Sequence, residues 1–254
     1  MKKIILYQFQ FFFLIFFINN AFSEKIVYVG AYHFPPFFNE QLDSYGISLE
    51  LIEAMNKFQN KYNFKLFVTS SKRRFSHFDS GLFDLIMFEN LAWGWKDKDV
   101  AASNVFFKGG AVYIAKADGK KNQNYFDNFK GKRLLGILGY HYGFANFISD
   151  EEYLKKKFNA YMTSTHDGNI ISIVQERADI AVVVKAYLQK YLHDNPGIKG
   201  NLLISNKYDA VNYYTVLIRK NIKPDVNEIN ILLDDLKKNG ILDSIWKKNG
   251  IKSD

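Results

Sequence analysis

The sequence predicts an α/β fold of two lobes, each a mostly parallel sheet flanked by helices. Three observations carry this reading. Short β-branched or aromatic runs alternate with amphipathic helical stretches, the pattern of a parallel sheet. That alternation occurs twice along the chain. Both occurrences share a local signature: a short helix, a tight turn, then an Asp leading an apolar strand, at Asp84 and at Asp179. Two such lobes in one chain imply a cleft between them.

The elements follow in order. "KIVYVGAY" (25–32) is short and β-branched and reads as a strand. Leu51, Ile52, Met55, Gln59 and Tyr62 recur at helical spacing, so 46–62 reads as a helix. A strand at 65–70, a short helix at 73–81 stopped by Gly81 and a strand at 82–88 complete the first β-α-β-α-β unit. The second has strands at 112–117 and 133–139, a helix at 141–158, a strand at 160–164, a helix at 167–177 and a strand at 178–184. A strand at 213–221 and helices at 225–240 and 241–250, each with a glycine stop, return to the first lobe. No proline-rich linker separates the units, so short strands near 112–117 and 202–207 are expected to join them. The expected division is 24–113 plus 206–254 for one lobe and 114–205 for the other.

Residues 1–23 are expected to be a signal peptide. "MKK" is a basic start, "FFFLIFFI" an apolar core too short to span a membrane comfortably, and Ala21 and Ser23 are small residues before Glu24. A bacterial periplasmic location follows. Cysteine is absent, which excludes disulfides and a lipid-anchored cysteine. The formal charge of +8 lies in short clusters, mostly on helix faces, and export argues against nucleic acid as a partner.

The five histidines, His33, His77, His141, His166 and His193, do not pair at metal-ligand spacing, so no metal is expected. No cofactor motif is present. "GILGYHYG" (136–143) has the wrong glycine spacing for a P-loop or a dinucleotide fingerprint. It still presents backbone N–H groups between a strand and a helix, which makes Tyr140, His141 and Tyr142 candidates for a binding loop.

"VYVGAYHFPPFF" (27–38), Gly46 before an amphipathic helix and "SGLFDLIMF" (80–88) resemble the opening of the bacterial extracellular solute-binding proteins of family 3. "NFKGKRLLGILGYHYG" (128–143), "QERADIAVV" and "LLDDLKKNGILDSIWKKNG" resemble that family's later landmarks, so the resemblance covers nearly all of 25–250. It implies the two-lobed periplasmic-binding-protein fold of type II. It also implies a monomeric receptor that closes on a small polar or anionic, amino-acid-like solute and delivers it to an inner-membrane ABC permease.

The resemblance also locates a site. In the family an Arg of a "T-x-x-R" stretch, twelve residues after the first strand Asp, holds a ligand carboxylate. Here that count from Asp84 reaches Lys96, with Trp93 at the Thr. An acid five residues after the second strand Asp meets the ligand ammonium in the family; from Asp179 the count reaches Val184. "MFENLAWGWKDKD" (87–99) therefore resembles the family's binding segment rewritten. Trp93 and Trp95 are candidates for stacking on the ligand, Glu89 for replacing the missing acid and Lys96 for holding an anion. Packing of both tryptophans between the strand end and a helix is the alternative. Arg73, eight residues before Gly81, matches the Arg of a subgroup's "P-W-x-R" stretch, though "SSKR" lacks the Pro and Trp. Tyr32, Phe34 and Phe37 fall where the family's first loop lines the cleft.

Two other functions are open at this point. One is an enzyme on the same fold resembling cyclohexadienyl dehydratases, which needs a general acid or base from Glu89, His33 or His141. The other is a non-transport sensor that docks on a membrane receptor.

Overall fold

Strand β1 (Lys25–Ala31) lies between β2 (Tyr62–Val68) and β3 (Leu85–Glu89) and runs parallel to both. The structure, a computed structural model, describes residues 24–40 and 46–253, so the leader expected at 1–23 lies outside them. Helix α1 (Ile47–Phe58) connects β1 to β2 and buries Ile47, Leu51, Ile52 and Met55, one stripe at 3.6-residue spacing. Helix α2 (Arg74–Asp79) leads to β3, all of which is buried.

A turn segment then reaches β4 (Val100–Ala102) and β5 (Phe107–Lys116). The second half holds β6 (Leu134–Ile137), α3 (Glu151–Phe158), β7 (Ala160–Thr163), α4 (His166–Val174), β8 (Ile180–Val184) and α5 (Lys185–Asp194). Strand β9 (Leu202–Arg219) is followed by α6 (Val226–Lys238) and α7 (Ile241–Lys248). The strand order is β2-β1-β3-β9-β5-β8-β6-β7, with β4 also paired to β9. β6 is parallel to β7 and β8, as β1 is to its neighbours.

Two long strands tie the halves together. β9 takes β3 and β4 along Thr215–Arg219, and β5 from Leu202 to Tyr214. β5 in turn takes β8 along Ala111–Ile114. The crossing strands expected near 112–117 and 202–207 are thus parts of these longer elements.

The helix expected over 141–158 is two pieces. A 3-10 turn at Gly143–Ala145 ends in left-handed Asn146 and Phe147, and α3 begins only after Asp150. The Asp150 carboxylate accepts from the Tyr153 N–H at 2.8 Å, so "SDEE" is an N-cap within a longer apolar period. Helix α5 is missing from the sequence reading because β8 passes into it at Val184 and Lys185 without a turn residue.

One core fills the first half, where α1, α6 and α7 pack together. The second half has a core on each face of its sheet. Ala181 and Val183 of β8 serve one, Ile180 and Val182 the other, as period-2 alternation requires.

Candidate functional site

The carboxyl ends of strands from both lobes converge on one small cavity with about 30 Å³ of room, where ligands sit in open α/β sheets. Tyr32 and Phe34 follow β1, and Trp93 follows β3. Gly139, Tyr140, His141 and Tyr142 follow β6, and Val184 ends β8. Ala111 and Asn212 come from the strands that cross between the lobes. The lining is mainly aromatic. Phe34 meets Trp93 and Tyr140 edge-on, with ring centroids 5.9 and 5.1 Å apart.

The lobes touch around this cavity. The Tyr140 hydroxyl donates to the His33 carbonyl at 3.2 Å, and the Ser71 hydroxyl donates to the Leu138 carbonyl at 3.1 Å. Lys72 pairs with Glu151 at 2.6 Å. Gly139 has φ 76° and sits so close to Ser71 that a Cβ there would lie 2.5 Å from Oγ. Only glycine supplies both that dihedral and that approach.

A charged pair is buried beside the cavity. Arg74 Nε lies 3.1 Å from Glu89 Oε1, with the two side chains 1% and 0% exposed. Neither of these atoms makes an aligned hydrogen bond, so the contact is one of charge rather than of direction. The other Glu89 oxygen accepts from the Trp95 indole N–H at 2.8 Å. The Arg74 guanidinium lies over the rings of Tyr32 and Phe75, 4.8 and 4.3 Å from their centroids. Burial pushes the Glu89 carboxyl above its usual range, and Arg74 opposes that rise. His141 is driven down to about 3, first by burial and then by Arg74, so its imidazole is neutral.

The loop after β6 is held from behind. β9 bulges between Tyr208 and Ala210, which re-aims Asp209. Its carboxylate accepts the N–H groups of Gly143 at 2.6 Å and Phe144 at 2.9 Å, and the Tyr113 hydroxyl at 2.6 Å. Burial raises the Asp209 carboxyl, and these three donors oppose the rise.

Of the residues expected at a ligand, Tyr32, Trp93, Tyr140, His141 and Tyr142 come together around the cavity. Phe37 lies outside it, stacked on Phe88 at 4.2 Å. Glu89 turns toward Arg74 instead of the cavity. Trp95 is fully buried between Phe75 and Phe78. Two expectations are corrected. Arg73 is exposed, and the buried guanidinium belongs to its neighbour Arg74. At the start of a helix, one residue turns a side chain by about 100°. Lys96 is also exposed, because the turns after Glu89 carry it to the surface. Phe34, expected with Tyr32 and Phe37 in the first loop, also lines the cavity, whereas sequence reasoning did not single out Asn212 or Asp209. Asp209 carries no local signal, since a bulge is set by the partner strand. Among the described residues no cluster of His, Asp or Glu could hold a metal ion, and no helix is long and apolar enough to cross a membrane.

Two lobes joined by two crossing strands, with an aromatic cavity between them, define the periplasmic-binding-protein fold. Solved structures share it. An ABC uptake transporter substrate-binding protein from Streptococcus pneumoniae with bound histidine superposes with a TM-score of 0.69 at 21% identity, over 88% of this chain and 91% of that one. A ligand-binding core from Nostoc punctiforme in complex with L-glutamate gives 0.66 at 19%, over 88% and 98%. An ancestral amino-acid-binding protein, described as a precursor of cyclohexadienyl dehydratase, gives 0.64 at 19%, over 88% and 94%. No protein-family model and no curated protein sequence matches the chain.

Proposed function

We propose that this protein is an exported, periplasmic solute receptor that closes its lobes on a small polar solute and presents it to an ABC permease. The observation that carries the reading is the cavity itself. Its walls come from loops of both lobes, and the lobes already touch at Ser71–Leu138 and at His33–Tyr140. Such a site is complete only when the lobes meet, which couples binding to closure. The solved relatives described as substrate-binding proteins of ABC transporters support the same role. On this reading the hinge is the crossing of β5 and β9, where Gly109, Gly110 and Ala111 pair with Asn212, Val211 and Ala210. The enzyme alternative requires an acid or base facing the cavity; Glu89 is turned away into an ion pair while the His141 imidazole lines the wall, so turnover of a bound solute separates the two readings.

The test is small-angle scattering on the processed protein, with solutes first selected by thermal shift. A bound solute should lower the radius of gyration. An unchanged radius, with binding confirmed by calorimetry, would count against a hinged receptor, and turnover of the solute would favour the enzyme.

A further inference from the structure

Where the lobes meet, the protein's own rings fill the space. About 30 Å³ of room is left, enough for a water or two and too little for a solute. Phe34 is the centre of this filling. It is 5% exposed, lies parallel to the Tyr32 ring at 5.8 Å, and meets Phe37 and Tyr214 at 5.1 and 6.1 Å. Its backbone is fixed on the first lobe. The Phe34 N–H donates to the Phe38 carbonyl at 2.9 Å, and the Phe34 carbonyl accepts from Phe38 at 3.1 Å. The Phe37 carbonyl accepts from the Ser48 N–H at 2.7 Å, which ties this turn to α1.

From the second lobe the ring of Tyr140 meets Phe34 edge-on, with centroids 5.1 Å apart. Its hydroxyl donates to the neighbouring His33 carbonyl at 3.2 Å. Tyr140 therefore makes, on the first lobe, the contacts of a bound phenol: a ring against an aromatic wall and a hydroxyl on a backbone carbonyl. It brings them on a tether, so their effective concentration is high. The two rings differ in freedom. Phe34 is held among four rings of its own lobe, whereas Tyr140 stands after left-handed Gly139 in a turn outside helix and strand. Tyr140 can swing out without unpairing a strand.

We propose that Tyr140 is a built-in competitor for the solute: when the lobes meet it occupies the seat on the first lobe, and a solute binds by displacing it from Phe34 and the His33 carbonyl. This rests on the reading as a solute receptor and names how that site is regulated. A solute that gains less than the tethered ring does not hold the lobes, so the plug sets a threshold of affinity.

The test uses p-cresol, the free analogue of the tyrosine side chain, on the wild type, Tyr140→Ala and Tyr140→Phe. Calorimetry follows binding and small-angle scattering follows the separation of the lobes. Tyr140→Ala vacates the seat, so p-cresol should bind it roughly tenfold more tightly than the wild type, or better. Without p-cresol, Tyr140→Ala should have a larger radius of gyration than the wild type, and saturating p-cresol should bring the radius back. Tyr140→Phe keeps the ring and loses the bond to His33, so its radius should fall between the two. The proposal is overturned if p-cresol binds Tyr140→Ala no better than the wild type, if it binds without contracting that variant, or if Tyr140→Ala keeps the wild-type radius. Should Tyr140→Ala not melt cooperatively, Tyr140→Phe decides, and an unchanged radius there overturns the proposal. The two readings fail separately. If solutes contract the wild type but Tyr140→Ala keeps the wild-type radius, the plug is removed and the receptor stays. If both variants behave as expected but no solute contracts the wild type, Tyr140 remains the occupant of the cleft and the hinged receptor falls.

Discussion

Trp93 and Trp95 are two residues apart and do different work. Trp95 fills the space between Phe75 and Phe78 and satisfies Glu89, so Trp95→Ala should cost about 3–5 kcal/mol and lower the melting temperature by many degrees. Trp93→Ala should cost less stability and more binding, because part of what it removes is cavity wall. Equal losses of melting temperature in the two variants would contradict this division. The Arg74–Glu89 pair predicts an asymmetric response. Glu89→Gln leaves a guanidinium buried without a counter-charge, which costs about 3–5 kcal/mol in denaturant unfolding. His166 supplies a pH dependence. It is 4% exposed, neither ring nitrogen has a partner among the described residues, and burial, with His33 adding, lowers it to about 3. The unfolded chain therefore takes up a proton as pH falls below about 6.5 while the folded chain refuses it until near 3. Stability is lost across that window, by about 2 kcal/mol from this one imidazole at about pH 5. Glu89 and Asp209, whose carboxyls are raised, act in the opposite sense at the acid end. His166→Phe should leave stability near neutral pH unchanged or improved and flatten the decline of melting temperature toward about pH 5. An unchanged slope would mean that the imidazole is protonated in the fold.

Among the elements, the loop after β6 and the bulge in β9 form one unit. Asp209 holds Gly143 and Phe144, and these place Tyr140, His141 and Tyr142 at the cavity. Asp209→Asn can keep acceptors for only part of this set, so the amides of Gly143 and Phe144 should exchange hydrogen faster while the core strands keep their protection. Gly139 reports on contact between the lobes. Alanine there meets a left-handed dihedral and the Ser71 side chain together, at a cost of about 1–2 kcal/mol for the dihedral alone. Part of that cost falls only on the touching form. Gly139→Ala should therefore weaken ligand binding by more than it lowers the melting temperature of the ligand-free protein.

For the molecule as a unit, β5 and β9 matter most, since both lobes hang their sheets on this one antiparallel pair. A hinge there lets each lobe move as a rigid body while its own core stays packed. The contacts that must break on opening are polar ones, Ser71 to Leu138, Tyr140 to His33 and the exposed pair of Lys72 and Glu151, and aromatic ones, Tyr140 on Phe34 and His141 on Trp93. The polar contacts are individually worth little in water and the aromatic pairs about 0.5–1.5 kcal/mol each, so the open and touching forms should lie within a few kcal/mol of each other. Ligand then decides the balance, and the contraction on binding should be large relative to the change in circular dichroism. A ligand-free radius of gyration that already matches the touching form would show that closure does not wait for ligand.

By itself the sequence determined the two-lobed α/β architecture, because periodicity is local: β1, α1, β8 and α6 each carry their apolar spacing in a dozen residues or fewer. It also marked the segment after β3 as a strand end rich in aromatic side chains. What it left open was direction. Whether Trp93 or Trp95 faces the cleft, and whether Arg73 or its neighbour is buried, depends on side chains that differ by one or two positions and point to opposite sides. Only the tertiary structure turned Glu89 toward Arg74, brought Asp209 from β9 to the loop after β6 and left the Trp93 N–H without a partner among the described residues. Each of these joins groups far apart in the chain or turns on the exact seating of a side chain. Such contacts follow from how whole elements pack, and no window of sequence contains them.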